Sequence, residues 1–228
     1  MDRFVPRDDA NSTIKQLTNN NLSRIAVDLH FLPTLEFFAA IAEADEVLLF
    51  PKDTYQRQSY LNRTKIRLAN KVETLSIPIQ GRRPRLPMDQ IKIDFSQNWQ
   101  AVHLRGIQSG YGKAPFMEYY FPYVQKIYES EEERLWEFNL RLLTMCLKLL
   151  RWPVRLTVFE GEQLPKGVKD IRGQIMPSRL YSTRNYYLPE TYTQLFGLDF
   201  EPNLSILDLL FCSGPESDHV LRRSIKKD

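Results

Sequence analysis

The segment at residues 53–63, DTYQRQSYLNR, concentrates side chains that could bind a charged substrate. It holds two tyrosines, two arginines, one acid and three amides. The planar guanidinium group of arginine can bond to two oxygens of a phosphate or carboxylate, and the aromatic ring of tyrosine can pack on a sugar or base ring. The segment therefore predicts a site for a small anionic ligand such as a sugar nucleotide. The predicted substrate-binding residues are Tyr55, Arg57, Tyr60, Asn62, Arg63, Lys65 and Tyr111.

The charge around this segment supports the same interpretation. Between residues 54 and 88 the sequence has eight basic residues and one acid, a local balance of +7 in a chain of net charge +3. The basic residues are Arg57, Arg63, Lys65, Arg67, Lys71, Arg82, Arg83 and Arg85. Such a field attracts anions. Two other interpretations stay open: a solvated basic surface, and a nucleic-acid site, against which the small charge of the whole chain argues.

Two histidines and one aspartate are the candidate catalytic residues. An imidazole titrates near neutral pH, so His30 and His103 are natural candidates for proton transfer. Asp53, like Asp28, could orient such a base or cap nearby backbone N–H groups. Each histidine also has a structural interpretation, since a lone histidine often lies in a core. His219 is predicted to lie in an exposed terminal helix and to take no part.

Motifs of cofactor and metal chemistry are missing from the sequence. Residues 106–113, GIQSGYGK, depart from a phosphate-binding loop in their spacing, and Ala114 replaces the hydroxyl that would bind a metal. No motif for dinucleotides, zinc hydrolysis or a serine nucleophile occurs. The sequence therefore specifies no cofactor, and no metal site is predicted. Cys146 and Cys212 are predicted to be small buried hydrophobic residues rather than a disulfide or a nucleophile.

The candidate site follows a predicted βαβ unit. Residues 24–28 and 46–50 are short apolar runs typical of strands, and residues 33–44 between them have the apolar spacing of a helix. The order strand, helix, strand predicts parallel pairing. Open α/β sheets gather their ligand crevices at the carboxyl ends of parallel strands, which is where residues 53–63 begin.

The rest of the chain completes an α/β fold in this interpretation: an N-terminal parallel or mixed sheet with flanking helices, and a helical C-terminal part. Further strands are predicted at 72–79, 91–95 and 155–159, and helices at 96–109, 115–128, 131–152, 190–196, 205–211 and 217–224. Residues 1–23 are predicted to be a flexible tail and residues 24–228 a single domain. Without a signal-peptide core or a membrane-spanning stretch, a cytoplasmic location is expected. A homo-oligomer is compatible with the sequence.

Four sequence blocks resemble the WbqC-like protein family. The first is FLPTLEFF at 31–38 and the second is the segment at 55–63. The third combines NWQAVH at 98–103 with SGYGKAPF at 109–116, and the fourth is PNLSILDLLF at 202–211. The last block resembles a branch of the family common in Bacteroidetes-type bacteria. Thr34 and Glu36 depart from residues that many members carry. Lys52 stands where related members often have histidine, so the loop lacks a second imidazole.

The resemblance covers residues 25–221 and implies a role in the biosynthesis of O-antigen and other surface polysaccharides. Some members are described as aminoacyl or glycyl transferases. The leading hypothesis is therefore a group transferase that acts on a nucleotide-activated or phosphorylated sugar. A non-catalytic binding or assembly protein in the same pathway is the alternative, and nucleic-acid binding is the third.

Overall fold

A four-stranded parallel sheet lies at the centre of the molecule. The computed structural model describes residues 22–81, 85–197 and 199–227. Within them the strands are β1 (Arg24–Val27), β2 (Glu46–Leu49), β3 (Arg63–Arg67), β4 (Val72–Ser76), β5 (Arg155–Val158) and β6 (Val168–Asp170). Strands β5, β2, β1 and β6 form the parallel sheet in that order, and β3 and β4 form an antiparallel pair.

The two central strands of the sheet are buried on both faces. Ile25 pairs with Val47 and Ala26 pairs with Leu48 in a parallel register. All four side chains are buried. Continuous apolar runs of this kind are typical of parallel strands that are covered on both sides. The predicted α/β fold and the parallel pairing of these strands are confirmed.

Helices pack around the sheet. They are α1 (Leu35–Ile41), α2 (Trp99–Tyr111), α3 (Met117–Tyr128), α4 (Leu135–Leu149), α5 (Ile206–Ser213) and α6 (Ser217–Arg223). Helix α4 is largely buried, as predicted for a core helix. Its Asn139 is fully buried and donates to the backbone carbonyls of Leu61 at 2.7 Å and Leu29 at 3.3 Å. This amide ties the loop after β2 to the end of β1, and both segments flank the candidate site.

A buried ion pair joins α1 to the C-terminal part of the chain. Glu36 is fully buried, and Arg184 donates to both oxygens of its carboxylate. Asn203 adds a donor at 3.2 Å, and its side-chain oxygen accepts the backbone N–H of Glu36 at 2.9 Å. A buried carboxylate needs these donors because an unpaired charge in an apolar interior is strongly destabilising.

Several predicted elements are wrong or were missed. Residues 190–196, predicted as a helix, form none; instead Tyr192 and Gln194 donate to the buried carboxylate of Asp208, the latter at 3.0 Å. The side chains of this segment thus bond to a partner outside it, which the local sequence pattern does not reveal. Residues 91–95, predicted as a strand, make only isolated bridges. The sequence did not predict β3 or β6.

Parts of two predictions fall outside the described residues. The described residues do not include residues 1–21 of the tail predicted at 1–23. They also do not include Arg82 and Arg83 of the basic segment. Among the helices that the structure describes, none is long and apolar enough to cross a membrane.

Candidate functional site

The carboxyl ends of three parallel strands meet at a cleft of about 370 Å³. Asp28 follows β1, Asp53 lies shortly after β2, and Asp170 ends β6, with Arg172 two residues further on. Parallel strands present their carboxyl ends at one edge of a sheet, which is where α/β proteins bind ligands. We call this site the aspartate cleft, defined by these four residues and His30, which also lines it.

Arg172 holds two of these aspartates in place. Its Nε and Nη2 donate to Asp170 at 2.9 and 2.8 Å, and its Nη1 donates to Asp53 at 3.0 Å. The guanidinium carbon lies 3.9 Å from the centre of the Phe50 ring. The hydrogen bond from Arg172 lowers the pKa of Asp170, so this carboxylate stays ionised. Most donors of the guanidinium are therefore engaged within the protein.

Asp28 is the aspartate of the cleft that has no ion pair among the described residues. Its Oδ2 accepts the backbone N–H of Gly173 at 2.6 Å. Burial raises the pKa of the Asp28 carboxyl; the N–H of Gly173 opposes this, and the charge of Asp53 adds to it. A carboxylate with a raised pKa is a stronger base, which general base catalysis near neutral pH requires.

His30 lines the same cleft but is only 2% exposed. Its ring packs against Phe37 and Tyr60 at centroid distances of 5.2 and 5.5 Å. Its Nδ1 has no hydrogen-bond partner within the described part of the chain. Burial lowers the pKa of His30 to about 3, and the positive charge of Arg184 acts in the same direction. The imidazole is therefore neutral at physiological pH and offers a hydrogen bond, not a charge.

A second pocket, of about 260 Å³, holds the basic part of the predicted site. Tyr55, Arg57, Asn62 and Arg63 line it together with residues from the range 76–81, and we call it the arginine pocket. The Nε of Arg63 is buried and lacks a hydrogen-bond partner among the described residues. Along the wall that the structure describes, no side chain is acidic. Two guanidiniums in such a setting suit a phosphate or a carboxylate.

One loop contributes to the walls of both sites. Thr54 and Gln56 line the aspartate cleft, whereas Tyr55 and Arg57 line the arginine pocket. Alternate residues of this short stretch thus face different sites. The loop therefore separates an acidic site from a basic one.

His103 lies in neither site. It lines a groove of about 550 Å³ beside β4, with 4% of its surface exposed. Its ring packs near Trp99 and Phe31, and its Nδ1 is 3.3 Å from the hydroxyl of Tyr128. Burial lowers the pKa of His103 to about 4. The two predicted catalytic histidines thus line different cavities, and only His30 shares one with Asp53.

Three predicted substrate-binding residues line neither site. Tyr60 is buried against His30, and Lys65 is exposed on β3. Tyr111 is fully buried; its hydroxyl donates to Asp208 at 2.9 Å and accepts the backbone N–H of Arg67 at 2.9 Å. These contacts give Tyr111 a place in the core.

Two other kinds of chemistry find little support in the described residues. No group of three or more histidine, cysteine, aspartate or glutamate side chains within them is arranged to hold a metal ion. Cys146 and Cys212 are free, and burial raises the pKa of each thiol to about 12. Thiols this weakly acidic are protonated at neutral pH and are poor nucleophiles.

Comparison with protein families identifies the chain. The model of the WbqC-like protein family matches residues 29–173. The chain belongs to the WbqC-like protein family. The part matched by the WbqC-like model includes Asp53, Asp170, Arg172 and all four named residues of the arginine pocket. It ends before the sequence block at 202–211.

A relative among the curated proteins has a similar length. The uncharacterized protein Rv1507c of Mycobacterium tuberculosis (strain ATCC 25618 / H37Rv) is 25% identical over 223 residues, which cover 86% of this chain and 96% of the relative. No solved structure matches the chain. These comparisons give the WbqC-like family and carry no specific activity.

Arg172 and Asp170 were not predicted as site residues from the sequence. Both depend on β6, a strand of three residues, VKD, whose alternation is too short to predict a strand. The available signal was the sequence DIRG at 170–173, in which an acid and an arginine precede a glycine with φ of 68°. Asp28 was noted only as an orienting or capping residue, and it does accept a backbone N–H, from Gly173.

Proposed function

We propose that the protein is a group transferase that acts on a phosphorylated or nucleotide-activated sugar. The observation that carries the proposal is the loop at 54–57. It lines an acidic cleft that contains a candidate base, and it lines a basic pocket in which no described side chain is acidic. A transferase for an activated sugar needs cations for the phosphate and a base for the acceptor. The place in surface-polysaccharide biosynthesis, of the O-antigen type, rests on the family resemblance alone.

The arginine pocket binds the phosphate in this proposal. Arg57 and Arg63 each present a planar fork of donors that fits two phosphate oxygens. Burial raises the pKa of Tyr55 to about 12, so its hydroxyl stays protonated and can donate to an oxygen of the ligand. Asn62 donates to the carbonyl of Ile77 at 2.8 Å, and its Oδ1 lacks a partner among the described residues. That oxygen can accept a sugar hydroxyl.

The aspartate cleft carries out the proton transfer. As the acceptor atom of one substrate bonds to the group being transferred, the Asp28 carboxylate takes its proton. The bond between that group and its leaving group breaks, and the electron pair departs with the leaving group. Asp28 suits this role because its carboxylate has a raised pKa and no ion pair within the described residues.

The other residues of the cleft position this base and the substrate. Arg172 fixes Asp53 and Asp170 at the edge of the sheet, so Asp53 acts as a positioning residue. His30 provides a neutral hydrogen-bonding group. His103 receives no step in the proposal because it lines a different groove.

Isothermal titration with UDP and a panel of UDP-sugars tests the proposal. We expect the wild-type protein to bind at least one sugar nucleotide and the double variant Arg57→Ala/Arg63→Ala to bind it at least about tenfold more weakly, because charge-assisted hydrogen bonds are lost. Arg141→Ala removes an exposed arginine of α4 and serves as the control.

Two results would oppose the proposal. Binding that is unchanged in the double variant would remove the arginine pocket as the phosphate site. Binding to none of the sugar nucleotides or sugar phosphates, especially if a partner protein copurifies, would favour the non-catalytic assembly protein instead.

A further inference from the structure

The charges of the aspartate cleft do not balance. Three carboxylates, those of Asp28, Asp53 and Asp170, line it with a single guanidinium, that of Arg172. His30 adds no positive charge, because burial keeps its imidazole neutral. The described lining thus has two more negative than positive charges, although the loop beside it is strongly basic. An anionic group would be repelled here, and a cationic group would be attracted.

The uncompensated charge is concentrated at Asp28. The guanidinium of Arg172 already binds both other aspartates, with four contacts of 3.2 Å or less. Asp28 accepts only the backbone N–H of Gly173 through Oδ2, and its Oδ1 makes no hydrogen bond within the described part of the chain. An ionised carboxylate has room for several donors. The oxygen that lacks a donor is therefore the strongest acceptor left in the cleft.

The imidazole of His30 provides a second, independent sign of a missing ligand. It is only 2% exposed, it lines the cleft, and its Nδ1 has no hydrogen-bond partner among the described residues. Buried polar atoms are almost always hydrogen-bonded, so an unpaired ring nitrogen beside a cavity is unusual. In its neutral form one ring nitrogen is an acceptor. Asp28 and His30 thus line the same cavity, and each carries a polar atom that has no hydrogen-bond partner among the described residues.

We infer that the aspartate cleft binds a protonated primary amine, so that the substrate with which Asp28 reacts is an amino sugar. This inference rests on the proposed function and deepens it. An ammonium group has three donors and no acceptor, which complements a site rich in acceptors. A hydroxyl group would satisfy one acceptor without relieving the charge. Asp28 takes one proton from the ammonium, which leaves a nucleophilic amine; the second proton, released as nitrogen bonds to the transferred group, departs with the leaving group.

Other cations fit the cleft less well. A metal ion needs several ligands converging on one point, and no such group exists among the described side chains. A guanidinium is planar and would compete with Arg172 for the same carboxylates. A compact ammonium, whose three donors point in different directions, suits the carboxylate oxygen of Asp28 that has no donor within the described residues.

Isothermal titration with three sugar phosphates tests this inference. Glucosamine 6-phosphate, glucose 6-phosphate and N-acetylglucosamine 6-phosphate differ only at carbon 2, which carries an amine, a hydroxyl or an acetylated amine. We expect the amine to bind at least about tenfold more tightly than the hydroxyl, a typical effect of a hydrogen bond to a charged group. Acetylation abolishes the positive charge and should remove the preference. In the Asp28→Asn variant, glucosamine 6-phosphate should bind no more tightly than glucose 6-phosphate.

Asp94→Asn is the matched control, because Asp94 also accepts a backbone N–H, from Ser96 at 2.9 Å, but lies outside the cleft. It should keep the preference for the amine. Equal binding of the amine and the hydroxyl by the wild-type protein would overturn the inference and leave the sugar-phosphate proposal standing. Binding of none of the three would overturn the inference, and the proposed function would fall with it only if no sugar nucleotide bound either.

Discussion

The aspartate cleft and the arginine pocket share a loop but are built in opposite ways. The cleft is held by contacts between distant parts of the chain: Asp53 and Arg172 are 119 residues apart, and Asp28 and Gly173 are 145 apart. The named residues of the pocket all come from nine consecutive positions, 55–63, and its Arg57 is exposed. Side chains of the cleft therefore stabilise the fold as well as forming a site, whereas the arginines of the pocket are available for a ligand.

The largest expected difference between the two sites is in stability. His30→Ala should lower the free energy of unfolding by about 2–4 kcal/mol, because it removes a buried ring that packs on Phe37 and Tyr60. Chemical denaturation followed by circular dichroism measures this. His30→Phe keeps a ring of similar size and should recover most of the loss. An alanine variant as stable as the wild type would mean that the cleft is no better packed than the pocket.

A smaller and opposite effect is expected at Asp28. Burial raises the pKa of this carboxyl in the folded protein. At a pH above the raised pKa the carboxyl is ionised in surroundings that favour its neutral form, and this lowers the free energy of unfolding. Asp28→Asn removes this unfavourable ionisation and should be more stable than the wild type at neutral pH. The advantage should shrink as the pH falls through the raised pKa and vanish below 3.8, the usual value.

Thermal unfolding of both proteins between pH 3 and pH 8 checks the sign. Asp94→Asn should behave in the opposite way, because hydrogen bonds from Ser96 lower the pKa of Asp94. If Asp28→Asn is less stable than the wild type at neutral pH, the interactions of the ionised Asp28 carboxylate outweigh the cost of burying it.

The smallest effect on stability is expected in the arginine pocket. Arg57 is exposed and forms no ion pair with the described residues, so Arg57→Ala should change the free energy of unfolding by less than about 0.5 kcal/mol. The same denaturation experiment measures this beside His30→Ala. A loss of several kcal/mol at Arg57 would show that the pocket, too, is part of the structural framework.

The sequence predicted those parts of the fold that depend on local patterns. The run from Ile25 to Val27 and the run from Val47 to Leu49 are continuously apolar, and both are central strands. The long helix α4 was predicted for a similar reason. Where a partner far along the chain decides the conformation, the prediction failed. The segment that contains Tyr192 was predicted as a helix, but it forms none, and the hydroxyl of Tyr192 donates to Asp208.

The candidate site was predicted in part for the same reason. Residues 55–63 were predicted to bind a ligand because their composition is unusual over a short stretch. Arg172 belongs to the other cavity and becomes recognisable only when β6 pairs with β1 and brings it to Asp53. The two sites share residues of one loop, but the arginine that completes the aspartate cleft lies more than a hundred residues further along the chain. Local reasoning therefore merged them into a single basic site.

The ion pair between Glu36 and Arg184 has a consequence for where this domain can be divided. The family match stops at residue 173, yet the buried carboxylate of Glu36 is neutralised by Arg184 and accepts a further hydrogen bond from Asn203. A shorter polypeptide ending at the family boundary would enclose an orphaned negative charge beneath α1. The contacts that satisfy Glu36 thus extend beyond the residues that the family model matches.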